Sequence, residues 1–159
     1  MRVGKVTRAG LVAALYAAIT VSPFLSSISY GPLQVRIAEA LTVLPFLYPE
    51  TIWGLFFGCF VANYLGSPFG LYDIFGGSLL TLIAAWLTSK APSAYLAPLP
   101  PVLINAFGVS LYISFLSDIP YLPTALSIGL GETIACYGLG LPLLLALRRR
   151  AGAAGPSRG

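Results

Sequence analysis

Pro123 to Leu147 reads PTALSIGLGETIACYGLGLPLLLAL, and Arg148, Arg149 and Arg150 follow at once. Glu132 is the one charged residue in that stretch. A bilayer core of about 30 Å needs roughly 20 predominantly apolar residues wound as a helix. The stretch therefore reads as a transmembrane helix stopped by a basic cluster. The rest of the chain has the same character. Of 159 residues, 9 are Lys or Arg, 5 are Asp or Glu, none is His, and 57% are hydrophobic. Mean hydropathy is +0.86. Soluble domains carry about a quarter charged residues, and the 9% here cannot cover a water-exposed surface. Nothing is left over for a soluble catalytic or nucleotide-binding domain.

Working back from that last helix, Gly-, Pro- and Ser-rich breaks divide the chain into six apolar stretches. The pattern predicts helices at about 8–25, 34–48, 50–66, 72–89, 95–116 and 123–147. Pro23, Ser26-Ser27 and Gly31-Pro32 separate the first two, and Pro49 forces the second and third into an antiparallel hairpin. Gly66 to Gly70, Lys90 to Pro92 and Asp118 to Pro123 supply the later turns. The second and fourth spans are short and bounded by Gly or Pro, which invites tilting or a break. The fold class expected is thus all-α: an integral membrane protein with six transmembrane helices. Residues 1–148 form the membrane domain and 149–159 a short, basic, flexible tail. The chain start also resembles a signal peptide in its charge pattern, but the apolar segments that follow favour a retained helix.

Basic residues set the orientation, since short cytoplasmic loops are enriched in Lys and Arg. With both termini cytoplasmic, Arg2, Lys5, Arg8, Lys90, Arg148, Arg149, Arg150 and Arg158 all fall inside, and Arg36 alone does not. This clustering at chain ends and in one loop is a topology signal rather than a nucleic-acid surface. At 1.5 Å per residue, Glu39 then lies roughly 8 Å below the outer surface, Asn63 about 5 Å and Glu132 roughly 12 Å, with Asn105 near mid-membrane. Asp73 opens the fourth helix and Asp118 sits in the last outer loop. Apart from Glu50, the acids occupy the outer half.

Ionisable groups within a span face a bundle interior or an aqueous cavity, because lipid exposure is costly. Arg36 and Glu39 are three apart and share a helix face. They are either a self-neutralising pair that anchors the second helix, or a donor and a carboxylate lining a ligand pocket. Pairing alone leaves Glu132, Asn105 and Asn63 at similar depths unexplained, which favours the pocket. Glu132 either pairs across the bundle with Arg36 or is held for a ligand. Asp73 is placed to cap a helix or to touch a ligand. Glu50, after Pro49, is structural, and Asp118 a solvated loop residue.

Small residues recur every four positions along the first helix, as Ala9, Ala13 and Ala17 and as Gly10, Ala14 and Ala18. Such spacing lets another backbone approach closely in lipid, either within the bundle or from a partner. Gly54 and Gly58 repeat it on the third helix. Tyr30, Tyr48 and Trp53 lie where interface anchors belong. Cys59 and Cys136 sit in apolar runs and read as small packed hydrophobes rather than a bonded pair. No Gly-Lys-Ser/Thr phosphate loop is present, so the chain does not hydrolyse ATP by itself. Without histidine or a cysteine cluster, no zinc site, resident cofactor or Ser-His-Asp triad is expected.

The run from Tyr30 to Thr42, YGPLQVRIAEALT, resembles the signature of the QueT family of queuosine-precursor transporters. Leu44-Pro45-Phe46, Ala62-Asn63, Asp73-Ile74 with Gly77-Ser78, and Gly131-Glu132 ahead of Gly140-Leu141-Pro142 agree with it. The likeness covers nearly the whole chain, about residues 8–148, and its first run is the specific part. It implies a substrate-binding (S) component of an energy-coupling factor transporter in the cell membrane. Such components are six-helix proteins that capture a micronutrient at the outer face. They work with a transmembrane coupling (T) protein and two cytoplasmic ATPases, and no catalytic residue is implied. The first-helix stripes, Ala13/Ala17 or Ala14/Ala18, match the Ala-x-x-x-Ala motif that docks the coupling protein. The implied ligand is a 7-deazaguanine, foremost 7-aminomethyl-7-deazaguanine. Its ring N–H and amino group suit a carboxylate such as Glu39 or Glu132. Its carbonyl suits a donor among Gln34, Arg36, Asn63 and Asn105, its ammonium suits Asp73, and Tyr30, Phe46 or Tyr72 would stack on the ring. Another heterocyclic micronutrient, a carrier needing no ATPases, and a membrane enzyme acting on lipid are the competing readings.

Overall fold

A computed structural model describes residues 2–29 and 35–153. Tyr30 and Gln34, two of the expected ligand contacts, lie outside the described residues, as does Arg158. Among the described residues every regular element is helical and no strand occurs.

The elements follow the expected breaks closely. Helix α1 spans Arg2–Val21 and ends where Ser22-Pro23 interrupts it, so it starts and stops earlier than expected. One turn of helix, α2 (Ser26–Ser29), follows. The second apolar stretch is a 3-10 helix over Ile37–Phe46 rather than an α-helix. With about 2.0 Å of rise per residue, its 10 residues reach further across a bilayer than the same length of α-helix. Tyr48–Glu50 turns it into α3 (Thr51–Gly66), the tight hairpin that Pro49 dictates. The fourth stretch begins as a π-helical segment, Tyr72–Gly77, and continues without a gap as α4 (Ser78–Ser89). Helix α5 (Leu99–Ser117) has Pro100 and Pro101 in its first turn, where the missing N–H groups cost nothing. It ends on Asp118, whose left-handed backbone (φ 51°) leads the chain into the next helix. The last stretch is a continuous rod: α6 (Tyr121–Thr133), a second π-segment (Ile134–Gly140) and α7 (Leu141–Ala153). It carries the helix through Arg148–Arg150 and beyond residue 147.

Small residues bring the elements together. A Cβ at Gly54 would run into the Ala9 carbonyl, and one at Gly58 would sit 2.8 Å from the Ala13 carbonyl oxygen. Ala9 and Ala13 are therefore used inside the bundle, against α3. Likewise a Cβ at Gly140 would lie 2.9 Å from the Ala40 carbonyl oxygen, so the second π-segment sits directly on the 3-10 helix. Around these contacts Val12, Tyr16, Leu55, Cys59 and Ala85 form the main apolar core. A second cluster of Val43, Ala94, Ala97 and Leu144 closes the Lys90 end.

The distribution of polarity is inverted relative to a water-soluble domain. Phe24, Leu65, Phe75, Leu111, Phe115 and Leu130 are exposed, while Arg36, Glu39, Asn63, Asp73, Asn105 and Glu132 are buried. Apolar side chains outside and ionisable ones inside suit a lipid solvent. Three helices, Gly4–Val21, Leu99–Ser117 and Tyr121–Ala151, are long and apolar enough to cross a membrane, and Ile37–Phe46 and Thr51–Gly66 are shorter apolar helices.

Candidate functional site

The 3-10 helix brings the first part of the site into the bundle. Arg36 stands at its head in extended conformation (φ −87°, ψ 100°) and Glu39 lies in its first turn. Because the α-helical register never includes Arg36, the expected three-residue pairing with Glu39 is not the salt bridge that forms. The Arg36 guanidinium meets Asp73 instead, with 3.5 Å between Nη2 and Oδ2. Its Nε donates to the Ser29 carbonyl at 3.4 Å.

Asp73 is fully buried inside the first π-segment and makes no helix cap. The wider winding turns its carboxylate inward, where Tyr112 and Ser67 donate to separate oxygens. The side-chain amide of Asn63 donates to the Asp73 carbonyl at 2.8 Å and to the Cys59 sulfur at 3.4 Å. Thr81 also donates to Cys59. Asp73 thus holds Arg36 while Ser67, next after α3, and Tyr112 of α5 occupy its two carboxylate oxygens.

Glu39 and Glu132 form the other half. Tyr16 of α1 donates its hydroxyl to Glu39 Oε1. Asn105 of α5 donates its side-chain amide to Glu132 Oε1 at 3.0 Å. The Cys136 thiol lies 3.6 Å from Glu132 Oε2 and 3.5 Å from the Glu39 carbonyl. It joins the rod to the 3-10 helix, and Thr42 completes that contact from Glu39's own element. Glu132 is therefore bonded to Asn105 and adjoins Cys136, and its cross-bundle salt bridge to Arg36 does not form. Both cysteines are buried and free, packed as small residues with weak hydrogen bonds.

Arg36, Gly77, Thr81, Asn105, Val109, Ile128 and Glu132 enclose a cavity between the two halves. It has space for about one water molecule. Ligand pockets run to about 300–1,000 Å³, so the cavity as it stands is far too small for a ring system. Glu39 Oε2, Asn63 Oδ1 and Asn105 Oδ1 are buried with no hydrogen-bond partner among the described residues. Bare buried acceptors cost about 1–3 kcal/mol each, and each is an invitation to a donor.

Of the residues expected from sequence, Arg36, Glu39, Asn63, Asp73, Asn105 and Glu132 converge here. Phe46 does not, because it packs beside Val43 near the Lys90 turn, and Tyr72 is exposed. Tyr16, Ser67, Thr81 and Tyr112 were missed. A tyrosine mid-span is their one sequence signal, since its hydroxyl must find a partner when buried. On the opposite side of the bundle, Glu50 pairs with Arg8, whose guanidinium also stacks 4.1 Å from the Tyr48 ring centre. No group of three or more His, Cys, Asp or Glu among the described residues is arranged to hold a metal.

Comparison with known proteins gives this geometry a family. No solved structure matches the chain. A queuosine precursor transporter, QueT, of Lactococcus lactis subsp. cremoris (strain MG1363) is 30% identical over 141 residues, which cover 80% of this chain and 82% of the relative. The family model for QueT transporters matches residues 6–149. The chain accordingly belongs to the QueT transporter family, as a multi-pass, all-helical membrane transporter and not an enzyme.

Proposed function

We propose that this chain is the substrate-binding component of an energy-coupling factor importer, and that it captures a queuosine precursor in the buried cluster. The observation that carries this reading is a charge imbalance. Among the described residues, Asp73, Glu39 and Glu132 are buried around Arg36, with Glu39 Oε2 and Asn105 Oδ1 left bare. A buried carboxylate needs a counter-charge or hydrogen bonds. The ligand that completes the set is cationic and rich in N–H donors. 7-Aminomethyl-7-deazaguanine has both properties. Its amino group donates to Glu39 Oε2 and its ring N–H to Asn105 Oδ1, its carbonyl accepts from Arg36, and its ammonium neutralises Glu132. Asp73, saturated by Ser67 and Tyr112, serves to hold Arg36. Asn63 steadies the Asp73 backbone.

The wider arrangement follows the same reading. Six crossings are α1, the 3-10 helix, α3, the π-segment with α4, α5, and the rod of α6 and α7. Both termini face the cytoplasm of the cell membrane, and the cluster opens outward. Since Ala13 supports α3, the exposed stripe of Gly10, Ala14 and Ala18 is left to dock the coupling protein, with Ala17 half-buried beside it. The coupling protein brings two ATPases, which supply the hydrolysis this chain lacks.

Thermal stabilisation of the purified protein in detergent tests the ligand. Stabilisation by 7-deazaguanines, but not by guanine or by vitamins, is expected. Stabilisation by an unrelated vitamin alone overturns the ligand. Co-purification with a coupling protein and ATPases tests the assembly, and transport by the chain alone overturns it.

A further inference from the structure

Tyr16 lies on the face of α1 opposite the exposed stripe, fully buried and packed with Val12, Leu55 and Cys59. A phenol has one proton to give, and this one goes to Glu39 Oε1. That bond fixes the rotation of the carboxyl group, so Oε2 is turned away from Tyr16. Oε2 is the oxygen with no hydrogen-bond partner among the described residues. A similar arrangement holds Asn105, which lines the cavity. Asn105 donates its Nδ2 hydrogen to Glu132 Oε1 at 3.0 Å, which leaves Oδ1, also bare, at the other end of the same planar amide. Each bare acceptor is thus aimed by a neighbour that grips the other end of its group.

We propose that Tyr16 is a positioning residue for the ligand site, and that it sets the selectivity for a ring-edge N–H donor. The hydroxyl holds Glu39 so that Oε2 alone is presented, at one angle, to the ligand. A site committed to such a bond rejects an analogue that lacks the donor, because its own buried group is then left unpaired. Without the hydroxyl the carboxyl rotates, its two oxygens become interchangeable, and the penalty on the analogue shrinks. This rests on the reading of the chain as a 7-deazaguanine binder.

The test compares 7-aminomethyl-7-deazaguanine with its analogue lacking the 2-amino group, by calorimetry on the purified protein and on Tyr16→Phe. The expected result is a wild-type preference of about tenfold or more for the amino-bearing ligand. In Tyr16→Phe that preference falls below about threefold, since one hydrogen bond's discrimination is lost. The ring remains in place, so α1 keeps its packing, and the unliganded melting temperature falls only by what one more bare acceptor on Glu39 costs. An unchanged ratio in Tyr16→Phe, even with both ligands bound more weakly, overturns the proposal and leaves Tyr16 a packing residue. If Tyr16→Phe fails to fold, Tyr16→Met, a smaller but adaptable apolar side chain, is read in the same way. Failure of both variants to fold also overturns it. A wild type that binds neither ligand removes the substrate reading first, and the proposal with it.

Discussion

Glu39 and Glu132 are both buried in the cluster, and they differ in what surrounds them. Glu39 has one oxygen gripped by Tyr16 and one bare, while Glu132 is bonded to Asn105 and adjoins Cys136. Charge-assisted hydrogen bonds contribute about 1.5–3 kcal/mol. Glu39→Gln and Glu132→Gln should therefore each weaken ligand binding about tenfold or more, as read by calorimetry. Unchanged affinity in both variants would remove the carboxylates from the site. Asp73 behaves differently, because its partners are all protein groups. Asp73→Asn leaves the Arg36 guanidinium without its counter-charge, a change that costs about 3–5 kcal/mol for a buried pair. A clear drop in the unliganded melting temperature is expected, and a ligand-free stability equal to wild type would contradict the role given to Asp73. These residues were legible in the sequence because an ionisable or amide group in an apolar run demands a reason. Their pairings were not. Helical spacing gave Arg36 to Glu39, but extended backbone at Arg36 and 3-10 winding after it hand the guanidinium to Asp73. Tyr16 and Tyr112 were passed over since a tyrosine in a span is as readily an interface anchor as a buried donor.

Helices in lipid associate through close backbone approach, and α1 offers two small-residue stripes for it. Sequence alone leaves them equivalent. The structure separates them, since Gly54 and Gly58 of α3 press on the Ala9 and Ala13 carbonyls while Gly10, Ala14 and Ala18 stay exposed. Gly58→Leu should force α1 from α3 and, as overpacking, destabilise the protein by about 1–3 kcal/mol or more. Ala14→Leu should leave the melting temperature within a degree or two and abolish co-purification with the coupling protein. A stable, ligand-binding Ala14→Leu variant that still assembles would return the docking role to the other stripe. The element boundaries themselves were mostly legible, because Pro23, Pro49 and the Asp118 to Pro123 turn mark them, although α5 begins at Leu99 after Pro98 rather than near residue 95. The winding was not. Two π-segments flank the site, carrying Asp73 and Gly77 in one and Cys136 in the other. Nothing in the residue spacing announces an extra residue per turn, which is set by packing against neighbouring helices.

At the scale of the whole molecule, the proposed placement in a bilayer rests on the exposed apolar surface and the basic residues together. Lys5 and Arg8 lie at one end of α1, and Arg148–Arg150 lie at the end of α7. Positive charge is retained on the cytoplasmic side, and the proposed arrangement accordingly puts both ends inside and the α5–α6 turn at Asp118 outside. Single-cysteine labelling with a membrane-impermeant maleimide reads this directly. Cys59 and Cys136 are fully buried and hydrogen-bonded, so they give no background and need no replacement. Ser117 is exposed beside Asp118, and Ser117→Cys should label on intact cells. Lys5→Cys and Ala151→Cys should label only after the membrane is opened. Labelling of either end on intact cells would break the six-crossing arrangement. A fully reversed pattern would put Glu39, Asn105 and Glu132 toward the cytoplasm, where an importer has no use for a capture site. The scarcity of charge makes this test sharp, since nearly every charged residue either reports a side of the membrane or belongs to the one cluster within it.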